Sequence, residues 1–106
     1  MIAQLTVQAL QQRLAAGERP TILDVREGWE YQVCALPDSL PLPTALVPQR
    51  LADLPRDNDI VVVCHHGVRS QMVAGLLRRH GFSRLYNLHG GIDAWAKEID
   101  PHMPVY

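Results

Sequence analysis

A chain of 106 residues fits one domain, and a hydrophobic content of 47% lets it bury a core without a disulfide scaffold. Ten Lys or Arg stand against eleven Asp or Glu, which excludes bulk electrostatic attraction to nucleic acid or an anionic membrane. Residues 1–14 carry no basic leader or cleavage pattern, and no apolar run reaches membrane-spanning length, so a protein of the cytoplasm is expected.

Residues 4–6 predict a short edge strand, and Thr6 is a good N-cap for a helix over residues 7–16. Leu10 and Leu14 share one face of that helix, and Gly17 suits its end. Residues 21–25 (TILDV) are β-branched and apolar and predict a buried strand. Residues 27–33 predict a short helix. Three prolines keep residues 36–43 extended, with at most a short strand near Leu40. Residues 48–54 predict another short helix, stopped by Pro55.

Residues 60–64 (IVVVC) give the clearest strand, and so continuous an apolar run suits a central strand covered on both faces. Met72, Val73, Leu76 and Leu77 then form a helical apolar stripe that stops at His80-Gly81. A short strand at Leu85 and Tyr86, a Gly90-Gly91 turn, a helix over residues 92–99 and a tail over residues 100–106 complete the chain. Strands alternating with helices predict an α/β fold: a central, mostly parallel sheet with helices on both faces, in one domain over residues 1–106. Sites on such sheets lie beyond the C-terminal strand ends, where Cys64 falls.

The segment Cys64-His65-His66-Gly67-Val68-Arg69-Ser70 joins that strand to the next helix. Gly67 permits a tight turn that aims backbone N–H groups at the sulfur. The helix N-terminus adds the positive end of its dipole, and Arg69 adds a formal charge. All three favour thiolate over thiol. A cysteine ending a buried strand is often inert, but the glycine, the arginine and the strand-to-helix position together favour a reactive one. His65 and His66 beside Cys64 raise a metal reading. Adjacent residues in a tight loop rarely converge on one ion, and no Cys-x-x-Cys or His-x-x-x-His spacing supports it, so neither metal nor cofactor is expected. His80, His89 and His102 are scattered and read as surface residues.

At these residues the chain resembles the rhodanese family of sulfurtransferases. Ile22-Leu23-Asp24-Val25-Arg26-Glu27 is similar to the family's early strand motif, the Cys64–Ser70 segment to its active-site loop, and Gly81-Phe82 with residues 85–95 to its C-terminal signature. The resemblance implies that Cys64 takes sulfur from thiosulfate or a persulfide. The resulting Cys64 persulfide then yields it to a thiol, to cyanide or to a partner sulfur-relay protein, in two half-reactions. It implies that His65, His66, Gly67, Val68, Arg69 and Ser70 form the substrate-binding loop, with Asp24 and Arg26 supporting it, whether or not they also form an ordinary salt bridge. Where the family often carries a Gly-His-Ile-Pro-Gly stretch, this chain has Cys34-Ala35-Leu36-Pro37-Asp38, and Cys34 reads as a packed or half-exposed free thiol more readily than as a redox partner of Cys64.

Two rivals remain. A phosphatase or arsenate reductase of the same fold has five residues between Cys and Arg, wide enough for a tetrahedral oxyanion. The four between Cys64 and Arg69 suit a single sulfur. An interaction or sulfur-carrier module is the other rival, for which Trp29 or Tyr31 are candidate docking residues if they are not core.

Overall fold

The computed structural model describes residues 2–106; Met1, at the head of the segment read as the start of the fold, lies outside them. Five strands form one sheet: β1 (Ala3–Leu5), β2 (Thr21–Asp24), β3 (Leu40–Pro41), β4 (Ile60–Val63) and β5 (Leu85–Leu88). Their order is β1-β5-β4-β2-β3, and every neighbouring pair is parallel. The helices are α1 (Val7–Ala15), α2 (Gly28–Val33), α3 (Val68–Arg79) and α4 (Gly91–Glu98).

β4 lies at the centre because both its faces are apolar. Ile60, Val62 and then Cys64 point into one core with Leu23, Val73, Ala74 and Leu77. Val61 and Val63 point into the other with Leu10, Ile22, Cys34, Ile92 and Trp95. This alternation is the two-residue side-chain period of a strand. α3 covers the first face, and α1 and α4 pack on the second. Among the described residues no helix is long and apolar enough to cross a membrane.

Several expectations hold in detail. The Thr6 hydroxyl accepts from the Ala9 N–H at 3.1 Å and caps α1. The residues around Leu40 form a strand of two residues. Others need correction. Residues 48–54 do not make an α-helix: two 3-10 segments, Thr44–Gln49 and Leu51–Asp53, occupy this stretch. Pro48 sits inside the first, and without an N–H it cannot extend an i to i−4 ladder. The stripe on α3 is also shifted. Ser70, Val73, Ala74 and Leu77 are buried, whereas Met72 is 68% exposed and Leu76 is half-buried. Successive helical residues turn by 100°, and Ala74 with Ser70 complete the inner face better than Met72 does. β5 runs two residues past Tyr86 and carries a buried polar side chain, Asn87.

Register sets the site. Asp24 pairs with Val63, so β2 and β4 end level, and the Val25 N–H donates to the Val63 carbonyl at 2.9 Å. Residues 24–27 and 64–67 therefore leave the sheet side by side.

Candidate active site

Cys64 is free and 1% exposed, at the end of β4. The chain turns sharply after it, and Gly67 takes φ +101°, a left-handed conformation that a side chain would strain. That turn brings the Gly67 N–H to 3.0 Å from the Cys64 sulfur. The Ser70 hydroxyl, on the first turn of α3, lies 3.3 Å from the same sulfur. Burial is the largest influence on the thiol and opposes its ionisation. The Ser70 hydroxyl and the backbone N–H groups of Ser70, Gly67 and His66 together outweigh it and lower the pKa.

The loop carbonyls face the other way. The N–H groups of Ile92 and Asp93, in the first turn of α4, donate to the carbonyls of Cys64 and His65 at 2.9 and 3.1 Å. With its carbonyls held there, the loop can turn N–H groups toward the sulfur. The approach needs Gly91: a Cβ at that position would lie 2.4 Å from the His65 carbonyl oxygen and 2.5 Å from that of Cys64. Asn87 braces the loop from β5. Its amide donates to the Gly67 carbonyl at 3.2 Å, and its oxygen accepts from the Ser70 hydroxyl.

Arg69 does not present a free charge. Its guanidinium grips Glu30 of α2 with both terminal nitrogens, at 2.7 and 2.9 Å. Glu30 is buried, and its carboxylate also accepts from the Glu27 N–H at 2.9 Å and the Tyr106 hydroxyl at 2.8 Å. The hydrogen bond from Arg69 is the main reason its pKa falls to about 2; burial opposes the shift, and the Glu27 N–H and Tyr106 hydroxyl assist it. The sequence reading has Arg69 add a formal positive charge to the loop; the structure places that charge in an ion pair with Glu30.

Asp24 and Arg26 form a second pair, wholly buried, with a shortest contact of 2.6 Å. Arg26 also donates to the carbonyls of Glu30 at 3.2 Å and Cys34 at 2.7 Å and to the Tyr106 hydroxyl at 3.1 Å. These bonds tie the end of β2 to both ends of α2, and α2 in turn holds Glu30 against the loop. Cys34 is buried against Arg26 on the sheet face opposite Cys64. Tyr106, read from sequence as part of a tail, instead stacks on His65 with ring centroids 4.1 Å apart and meets the edge of Trp29 at 5.4 Å.

His65, His66 and Asp93 place potential ligand atoms within 4.8 Å of one another, closer than adjacency in a tight loop suggests. The two imidazoles are stacked, 4.0 Å apart with 26° between their planes, so their in-plane lone pairs run side by side and do not converge. Asp93 is engaged by Lys97 at 3.0 Å. His80, His89 and His102 are exposed. Of the docking candidates, Trp29 is 61% exposed. Tyr31 is half-buried, and its hydroxyl donates to the Ser39 carbonyl at 3.0 Å.

Four residues of this arrangement escaped the sequence reading. Glu30 had a signal, since Glu27 and Glu30 make a capping box at the start of α2. Gly91 and Asn87 lie within the C-terminal signature, but the close approach of Gly91, the bracing by Asn87 and the return of Tyr106 depend on contacts between segments far apart in the chain.

Comparison with known proteins agrees with this geometry. The rhodanese-like domain family matches residues 6–98. A sulfurtransferase of Allochromatium vinosum is 38% identical over 92% of this chain and 91% of its own length. A putative sulfur carrier protein of Bacillus subtilis, YrkF, is 32% identical over 93% of this chain, which spans 54% of that protein. A rhodanese-like domain protein of Staphylococcus aureus superposes with a TM-score of 0.86 at 28% identity, over 92% of this chain and 95% of that one. A buried thiol in a cradle of N–H groups at the end of a central parallel strand is thus accompanied by likeness along nearly the whole sequence, and the chain belongs to the rhodanese-like sulfurtransferase family.

Proposed function

We propose that this protein transfers sulfane sulfur through a persulfide on Cys64. The observation that carries the reading is the cradle itself: the sulfur accepts from the Gly67 N–H at 3.0 Å, sits 3.3 Å from the Ser70 hydroxyl, and has a lowered pKa despite its burial. In the first half-reaction the Cys64 thiolate attacks the outer sulfur of thiosulfate or a persulfide, and the donor's inner group leaves with the bonding electron pair. In the second, a thiol or cyanide takes the outer sulfur of Cys64–S–S⁻, the S–S bond breaks, and the Cys64 thiolate returns. Both states are anionic, and the same N–H groups serve each.

In this reading His65, His66, Gly67, Val68, Arg69 and Ser70 form the loop that receives the donor. Asp24 and Arg26 support it through α2 and take no part in the chemistry. A protein acceptor in a sulfur relay fits the exposed apolar side chains of Val68 and Met72, both on α3. Four residues between Cys64 and Arg69 disfavour a tetrahedral oxyanion and hence a phosphatase.

The test is mass spectrometry of the protein after incubation with a sulfane-sulfur donor, then with cyanide. One extra sulfur on the peptide containing Cys64, removed by cyanide, is expected. Cys64→Ser should take up none, and Cys34→Ser should load normally. Turnover near wild type in Cys64→Ser, or aryl-phosphate hydrolysis comparable to sulfur transfer, overturns the proposal.

A further inference from the structure

We infer that Glu30 sets donor selectivity at this site: by pairing with Arg69 it makes the protein a user of persulfides in preference to the thiosulfate dianion. The inference rests on the proposed role of Cys64 and deepens it by naming the donor class.

The charges around the loop decide the matter. Loading from thiosulfate brings a dianion against a thiolate: Cys64–S⁻ + S–SO₃²⁻ → Cys64–S–S⁻ + SO₃²⁻. Three negative charges share the mouth throughout, and the leaving sulfite carries two of them. Loading from a persulfide is lighter: Cys64–S⁻ + RS–SH → Cys64–S–S⁻ + RSH. One negative charge is present throughout; it ends on the outer sulfur of Cys64, and the donor's proton leaves on the carrier thiol. In each case the new S–S bond forms as the donor's bond to its sulfane sulfur breaks. No outside oxidant enters. A site for the first reaction needs uncompensated cations at the mouth; a site for the second does not.

The formal cations near this mouth are compensated. Arg69 is held bidentately by Glu30 at 2.7 and 2.9 Å. Arg26 is buried and paired with Asp24 at 2.6 Å. Lys97 pairs with Asp93 at 3.0 Å. His65 has a lowered pKa, first because it is partly buried and then because His66 is beside it. Exposed His66 faces Asp93 at 3.7 Å. Glu30 cannot swing aside to release Arg69, because it is 4% exposed and fixed by the Glu27 N–H and the Tyr106 hydroxyl as well. What remains to attract an anion is the set of backbone N–H groups directed at the Cys64 sulfur.

The experiment compares kcat/KM for glutathione persulfide, whose carboxylates lie far from its sulfane sulfur, with kcat/KM for thiosulfate. In wild type the persulfide is expected to be preferred at least tenfold. Glu30→Gln keeps the shape, removes the charge and frees Arg69, so the ratio should move toward thiosulfate by at least tenfold. The double variant Glu30→Gln/Arg69→Gln should lose that gain, which a merely structural role of Glu30 does not predict. Because Glu30 also caps α2, a wild-type measurement stands beside the variants: kcat/KM for thiosulfate should not fall as salt rises, whereas a steep fall would reveal a free cation and overturn the inference. Equal use of both donors by wild type, or an unchanged ratio in a folded Glu30→Gln protein, overturns it and leaves the proposed activity standing. If neither donor loads Cys64, the activity and the inference fall together.

Discussion

Ser70 is the single side chain whose hydroxyl touches the sulfur, and it sits on the first turn of α3 with its own position fixed by Asn87. The hydroxyl has one proton, for which a Cys64 thiolate competes with Asn87 Oδ1. Ser70→Ala should raise the Cys64 pKa. The rate of alkylation by iodoacetamide, followed against pH, should shift to higher pH. An unchanged profile assigns the activation to the backbone alone. Glu30 makes a prediction of opposite sense in the acid range. Its carboxyl has a folded pKa of about 2 against a reference of 4.5, so its contribution to stability is complete above 4.5 and is lost as pH falls toward 2. Urea midpoints should drop over that window, and Glu30→Gln should flatten the drop. Sequence reading reached Cys64, Gly67 and Ser70 because their roles are local to one turn. It did not show the partner of Arg69, which is 39 positions away and is revealed only by the packing of α2 against the loop.

At the scale of elements, the site is a meeting of two helix N-termini with opposite duties. α3 presents its first turn to the sulfur, and α4 presents its first turn to the loop's carbonyls. The second contact demands a residue without a side chain. Gly91→Ala puts a methyl group inside contact distance of two carbonyl oxygens and also meets a φ of +62°. Overpacking of this kind costs about 3 kcal/mol at the upper end of the usual range. The variant should lose about that much stability in denaturant titration. Its sulfur transfer should fall further than its folded fraction, because the loop must shift to make room. Retention of wild-type rates would show that the contact with α4 is dispensable. The sequence marked Gly90-Gly91 as a turn; the turn falls on His89 and Gly90, and Gly91 already opens α4. The sequence could not mark which glycine faces the loop, because that depends on how α4 docks. β4 was legible as a continuous apolar run, and β2 from its β-branched and apolar residues. The stretch over residues 48–54 departs from the expected helix because Pro48 falls inside a 3-10 segment and cannot extend an α-helical ladder.

For the molecule as a whole, Arg26 is the fastening between strand, helix and the segment that ends at Tyr106. It is buried, and its bonds reach Asp24, Glu30, Cys34 and Tyr106. Removing one partner of a buried ion pair costs about 3–5 kcal/mol. Arg26→Ala should destabilise the protein by that amount in urea and should also loosen Tyr106, seen as a change in Trp29 fluorescence. A loss under about 1 kcal/mol, the scale of an exposed pair, would mean that water replaces the guanidinium without penalty. The α/β architecture was readable from element order alone. The fastening was not: the sequence showed Asp24 and Arg26 as neighbours on a strand end, and nothing in it said that residue 106 would return to them.

The burial of Cys64 bears on the shape of whatever reaches it. Cys64 is 1% exposed, and His65, next to it in the chain, is stacked under Tyr106. Reagents should then be sorted by girth as well as by chemistry. Methyl methanethiosulfonate should modify the thiol quickly, while a bulky aromatic disulfide of similar intrinsic reactivity lags far behind. A macromolecule that hands over sulfur here must carry it on a slender projection, at a loop tip or a free chain end, because a thiol set flush in a broad surface could not make contact.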